Sequence, residues 1–168
     1  MARDLLRSGR MSHDHWNARP LAEVIDHVIS EFHAPLAGEL EDLRACVRSA
    51  REGCDGGPRR LNLLAREVRA LEEELNSHTL KEEAVLFPWI RGGRGALAGA
   101  PIRAMMLEHS DVTARLERIR KLLPCKGAGC DEGCGALRDC VQRFEARLLR
   151  HMALENEVLF PRALRSDN

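Results

Sequence analysis

Apolar positions recur in alternating steps of three and four along four stretches of the chain, the period of a helix-bundle seam. The first stripe runs Ile25, Ile29, His33, Leu36, Leu40, Leu43, Val47, Ala50 and Cys54. The second runs Leu61, Leu64, Val68, Leu71, Leu75, His78, Glu82, Val85 and Trp89. The third runs Ile102, Met105, His109, Val112, Leu116, Ile119 and Leu123, and the fourth Leu137, Val141, Phe144, Leu148, His151, Glu155 and Val158. No stretch has the period of two that marks a strand. Pro20, Pro58 and Pro101 stand where helices should begin, since a first-turn residue has no helical partner for its N–H. Glycine clusters at Gly53–Gly57, Gly92–Gly95 and Gly127–Gly135 close the segments. The pattern predicts helices over roughly residues 20–52, 58–91, 101–123 and 135–164. Short connections favour antiparallel neighbours. The expected fold is all-α, an up-down-up-down four-helix bundle over residues 20–168, with residues 1–19 as a loose N-terminal tail.

Four histidines and two glutamates occupy stripe positions that the pattern assigns to the core: His33, His78, Glu82, His109, His151 and Glu155. An unpartnered carboxylate there would cost several kcal/mol. With neighbours antiparallel, all six fall at about the same depth, towards one pole. Two of the segments also share a repeat: residues 78–88 and 151–161 both read His-x-x-x-Glu-x-x-Val-Leu-Phe-Pro. A spacing of four puts imidazole and carboxylate on one helix face. Such a set suits iron, zinc or manganese, and two bridging carboxylates imply two ions. The competing reading is a buried hydrogen-bond network without metal. The order His-x-x-x-Glu is not the Glu-x-x-His of ferritin-like carboxylate proteins. Glu83 lies off the stripe and reads as a bystander, dispensable for metal. The Leu-Phe-Pro after each pair reads as packing and a helix-end kink.

Charge narrows the function classes. The 168 residues carry 26 basic and 26 acidic side chains, so nucleic acid and anionic membranes are poor partners. Nothing approaches the length of a membrane span or the apolar core of a signal peptide, which points to the cytoplasm. In that compartment the six cysteines read as thiols or metal ligands rather than disulfides. Cys54, Cys125, Cys130, Cys134 and Cys140 gather at the pole opposite the histidines. Ordinary thiols, a redox-active thiol group and a second metal site all stay open for them. Cys46, beside the stripe, reads as packing. His13, His15 and His27 lie in the tail or off the stripe and read as surface residues.

The paired motifs resemble the hemerythrin-like (HHE cation-binding) domain. Within it they are most similar to the di-iron RIC proteins, which repair iron–sulfur centres after nitrosative or oxidative damage. Matching stretches are Leu21-Ala-Glu-Val-Ile-Asp-His27 with Glu31-Phe-His33, the two His-x-x-x-Glu repeats with their Leu-Phe-Pro, and Glu108-His109; the resemblance covers about residues 14–165. It implies two non-haem iron ions with an oxo or hydroxo bridge. His33, His78, His109 and His151 would ligate through imidazole, and Glu82 and Glu155 would bridge. It implies a stress-response role: reaction with NO, O2 or peroxide, a reductase activity included, or support for repair of damaged iron–sulfur proteins. The alternative is an O2 carrier or sensor of the hemerythrin type. That carrier has a fifth histidine, and its absence here leaves two similar irons and favours redox or NO chemistry. Many relatives carry an N-terminal domain with a cysteine pair, which the tail does not provide. Some have a histidine where Cys54 stands. A monomer or homodimer is expected.

Overall fold

The structure, a computed structural model, describes residues 15–53, 57–124 and 132–165. Four long helices make it up, and no strand occurs among the described residues. Helix α1 (21–53) comprises Leu21–Val28, a π-helical turn Ile29–His33 and Ala34–Gly53. Helix α2 (58–91) comprises Pro58–Lys81, a π turn Glu82–Leu86 and Phe87–Arg91. Helix α3 is Gly99–Leu122, after a short 3-10 turn Gly95–Ala98. Helix α4 (132–163) comprises Glu132–Leu154, a π turn Glu155–Leu159 and Phe160–Ala163.

Polar pairs between the helices fix their directions. His33 meets Glu83, and Arg44 meets Glu72, so α2 runs against α1. Arg60 donates to the carbonyls of Leu122 and Leu123, and Arg115 pairs with Glu74, so α3 runs against α2. Arg120 pairs with Glu145 and His109 with Asn156, while Arg147 pairs with Glu39. The order is up-down-up-down. Among the described residues no helix is long and apolar enough to cross a membrane.

Two apolar clusters fill the bundle. The larger is leucine-rich and includes Leu40, Leu43, Leu64, Leu71, Leu116, Leu137 and Leu148. The smaller caps the other end with Val24, Ile25, Val28, Leu86, Phe87, Ile102, Leu159 and Phe160. The six polar stripe residues lie between them, all buried.

The predicted stripes hold through the larger cluster and slip in the smaller one. Val85 and Trp89, expected inside, are 44% and 36% exposed, while Leu86, Phe87 and Ile90 are buried in their place. Val28 is fully buried, and Ile29 only partly so. The π turns are the cause. Each adds about one residue to a turn, so the inward face moves by one position. Each π turn is followed, two residues on, by a proline: Pro35, Pro88 and Pro161. In a straight α-helix the proline ring meets the carbonyl four residues back. That carbonyl lies here within the π turn, at Glu31, Ala84 and Glu157. The Leu-Phe-Pro prolines therefore do not end their helices; α2 runs on to Arg91 and α4 to Ala163.

The chain entering the bundle is packed as well. Trp16 stacks on His27 with ring centroids 4.2 Å apart, and Arg162 donates to the carbonyls of Trp16 and Arg19. Cys54, Cys125 and Cys130, and His13, lie outside the described residues. Cys134 is disulfide-bonded, which corrects the thiol reading for that residue. Cys140 does not belong with the loop; it packs into the leucine-rich cluster beside Cys46.

Candidate metal centre

The π turns bring the site together. His33 closes the first, Glu82 opens the second and Glu155 opens the third. His109 comes from the uninterrupted α3. The six side chains converge as two groups of four that share both carboxylates: His33, His151, Glu82 and Glu155, and His78, His109, Glu82 and Glu155. Within each group the ligand atoms lie within 4.8 Å of one another.

The atomic arrangement is that of a binuclear cradle. His33 Nε2 and His151 Nε2 are 3.1 Å apart, and His78 Nε2 and His109 Nε2 are 3.0 Å apart. Two donors at such a spacing can both reach one ion at bond lengths near ~2 Å. Glu82 Oε2 lies 3.4 Å from His33 Nε2 and 3.3 Å from His78 Nε2, so one oxygen faces both pairs. Glu155 divides its oxygens: Oε1 is 2.9 Å from His151 Nε2, and Oε2 is 3.3 Å from His109 Nε2.

Both oxygens of Glu82, and Oε2 of Glu155, are buried without a hydrogen-bond partner. Both residues are 0% exposed. Orphaned carboxylate oxygens at this depth are costly, and a cation between them and the imidazoles removes that cost. The electrostatics agree. Burial pulls His78 downward, yet the Glu82 carboxylate 3.3 Å away, with Glu155 and Glu108, carries it up to about 9. Burial also opposes His33, and Glu82 again leads the groups that raise it. Burial pushes Glu155 up, but His151 and His109 outweigh it and hold the carboxyl below the usual range. Positive charge is favoured at His33 and His78 whether protons or metal ions carry it. The donor set, neutral imidazole with carboxylate, fits borderline divalent metals such as iron.

Hydrogen bonds to the outer ring nitrogens hold the imidazoles in place. His33 Nδ1–H donates to Glu83 Oε1 at 2.8 Å, His78 Nδ1–H to Glu108 Oε2 at 3.0 Å, and His109 Nδ1–H to Asn156 Oδ1 at 2.9 Å. An acceptor on Nδ1 sets the tautomer that leaves Nε2 free to ligate. Lys81 pairs in turn with the other oxygen of Glu108. Phenylalanines cover the rings: Phe32 lies over His151 (5.0 Å), Phe87 over His33 (5.7 Å) and Phe160 over His109 (5.9 Å). Three of the four phenylalanines in the chain are used this way.

Sequence reasoning assembled the six inner residues and missed these bonds. The reading of Glu83 as a bystander is corrected by its bond to His33. A signal was present in the repeat. Glu83 and Asn156 each follow the glutamate of their copy, and each accepts from a histidine on the preceding helix. The two halves are not equivalent, however. Phe32, the residue before His33, stacks on His151, whereas Glu108, the residue before His109, accepts from His78.

Residues 24–163 match the Hemerythrin HHE cation binding domain. The chain belongs to the hemerythrin HHE family. It is 35% identical over 162 residues to the iron-sulfur cluster repair protein YtfE of Pectobacterium atrosepticum, covering 90% of this chain and 70% of that one. It is 36% identical over 160 residues to the protein of the same name from Yersinia pseudotuberculosis, covering 93% of this chain and 72% of the relative. The HHE match spans all six inner residues together with Glu83, Glu108 and Asn156.

Proposed function

We propose that this HHE protein is a non-haem di-iron protein of the nitrosative and oxidative stress response. Its iron centre would react with NO, O2 or peroxide, or support the repair of iron–sulfur centres. The observation that carries the reading is the set of orphaned, fully buried carboxylate oxygens enclosed by four imidazole Nε2 atoms. In this proposal His33 and His151 hold one ion, His78 and His109 the other, and Glu82 and Glu155 bridge. The names of the relatives support the repair context, and their similarity covers at least 90% of the chain.

When bound, two adjacent irons supply electrons and open coordination positions to a small molecule. The chain's own residues prepare that chemistry. Glu83, Glu108 and Asn156 keep three Nε2 lone pairs aimed inward. Phe32, Phe87 and Phe160 keep water from the ring faces, and Val24, Val28, Leu86 and Leu159 close the apolar end. Glu82 and Glu155 bring two negative charges to offset four positive ones, leaving a centre that attracts electron-rich or anionic ligands.

The test is metal analysis of the purified protein, followed by the electronic spectrum of the reduced form under O2 and then NO. Two irons per chain and turnover of NO to N2O support the reductive reading. Reversible O2 binding without NO turnover supports the carrier. One tightly held zinc and no iron would overturn both.

A further inference from the structure

The two metal positions draw on different pairs of helices. His33 and His151 come from α1 and α4, and His78 and His109 from α2 and α3. The contacts of one pair are largely repeated in the other. Glu83 follows Glu82 and accepts from His33; Asn156 follows Glu155 and accepts from His109. The repetition ends at the residue before each single histidine. Glu108 precedes His109 and accepts from His78 Nδ1 at 3.0 Å. Phe32 precedes His33 and lies against His151, the rings 5.0 Å apart and 9° from parallel. The bonds of His151 are those of Nε2, to His33 and Glu155. Among the described residues nothing accepts from its Nδ1.

The difference has a direction. Each pair has one carboxylate acceptor, and neither carboxylate acts at full strength: Glu108 is paired with Lys81, and Glu83 is 45% exposed. The carboxylates therefore balance, and the amide of Asn156 is left over in favour of His78 and His109. A hydrogen bond to Nδ1 fixes both the plane and the direction of an imidazole. A stacked ring fixes the plane and leaves the imidazole free to slide within it. One missing partner of this kind weakens metal binding about 10–100-fold. Phe32 is itself held in place, because Arg147 lies over its ring and donates to the carbonyl of Glu31 next to it.

We propose that the two metal positions are unequal: the position of His78 and His109 retains its ion, the position of His33 and His151 exchanges its ion, and Phe32 sets the difference. This inequality rests on the di-iron reading above. Phe32 is a positioning residue, acting on the ion through His151.

The test counts irons during release. Iron(II)-loaded protein is held without oxygen in excess ferrozine, and native mass spectrometry follows the irons left on each chain. Chains with one iron should accumulate, the first release being about 10-fold or more faster than the second. Phe32→Glu puts a carboxylate where Glu108 stands in the other pair, with Arg147 beside it as Lys81 is beside Glu108. It should slow the first release about 10-fold or more, so that the one-iron stage disappears. A residue that only packs would do the reverse, since its replacement would speed release. Asn156→Ala should speed the second release and leave the first unchanged. Helix content checks each variant, and Phe32→Gln, which offers an uncharged acceptor, replaces Phe32→Glu if that chain does not fold. Two irons leaving together from the wild type would overturn the inequality and leave the di-iron reading standing. First release speeded by Asn156→Ala, or by both replacements of Phe32, would overturn the assignment of the exchanging ion. Fewer than two metal ions per chain at the start would overturn the di-iron reading, and the inequality with it.

Discussion

Towards the leucine-rich end, all four helices are unbroken and meet through side chains such as Leu40, Leu64, Leu71 and Leu137, each no more than 1% exposed. Towards the other end, three of the four pass through a π turn, and the inward positions carry imidazole and carboxylate. The leucine end gains stability from area removed from water, about 1.5–3 kcal/mol for each large side chain. The histidine end gives up regular helix and buries charge, which opposes folding unless a cation is supplied. One end is built to hold the bundle together, and the other to hold something in it. The π turns follow from that division. A straight helix presents a face every third or fourth residue, and the added residue lets Glu82 point into the centre while Leu86 and Phe87 both pack beyond it.

The comparison breaks most visibly if the two ends answer alike to mutation. Glu82→Ala or Glu155→Ala removes a carboxylate that faces both histidine pairs. Metal should fall from two ions per chain to one or none, and any remaining ion should lose its magnetic coupling. Metal analysis with magnetic measurement reads this. Two coupled ions in either variant would mean the carboxylates are not bridges.

Leu71→Ala tests the other end. The residue is fully buried, and its truncation should cost about 2–5 kcal/mol in denaturant unfolding. Folded protein should still bind two metal ions. Metal loss in proportion to lost stability would mean the two ends are one cooperative unit and that the division above is too sharp.

How much of this was legible depends on the end considered. In the leucine half, periodicity alone located Leu40, Leu64, Leu71, Val112, Leu116 and Val141, because a regular helix keeps its face. The six inner polar residues were legible for a different reason: each interrupts an otherwise apolar stripe. Val85 and Trp89 were misplaced because the reading assumed an unbroken period through the π turn. The prolines at 35, 88 and 161 carried the warning. Each sits inside a helical pattern where a regular backbone would resist it. The roles of Glu83, Glu108 and Asn156 were hidden because a hydrogen bond between helices leaves no period along either one.

Glu83→Ala and Asn156→Ala sharpen the contrast at a smaller scale. Each removes the acceptor for a ligand's Nδ1–H without touching the inner six. Loss of such a partner typically weakens metal binding about 10–100-fold. Competition with a chelator measures it, and Glu73→Ala, exposed on α2, is the control. The Glu83 variant should show the larger loss, because a carboxylate raises imidazole basicity more than an amide does. Unchanged affinity in both would mean the rings are positioned by the phenylalanines alone.

The smallest expected effect comes from Pro35→Ala. In an ordinary helix interior, alanine in place of proline gains about 3 kcal/mol, since it restores an N–H and removes a clash with the carbonyl four residues back. That carbonyl is here Glu31 O, within the π turn, and it accepts from Arg147. Arg147 in turn lies over the Phe32 ring, 5.6 Å from its centroid, and Phe32 covers His151. The restored N–H would therefore meet a carbonyl that already has a partner, and the clash has already been relieved. A gain of about 1 kcal/mol or less is expected in denaturant unfolding, with metal content unchanged. A gain near the full ordinary value would mean that the proline strains the turn rather than fitting it. Metal loss alongside that gain would mean that the helix had reverted to a regular period and carried His33 off the site.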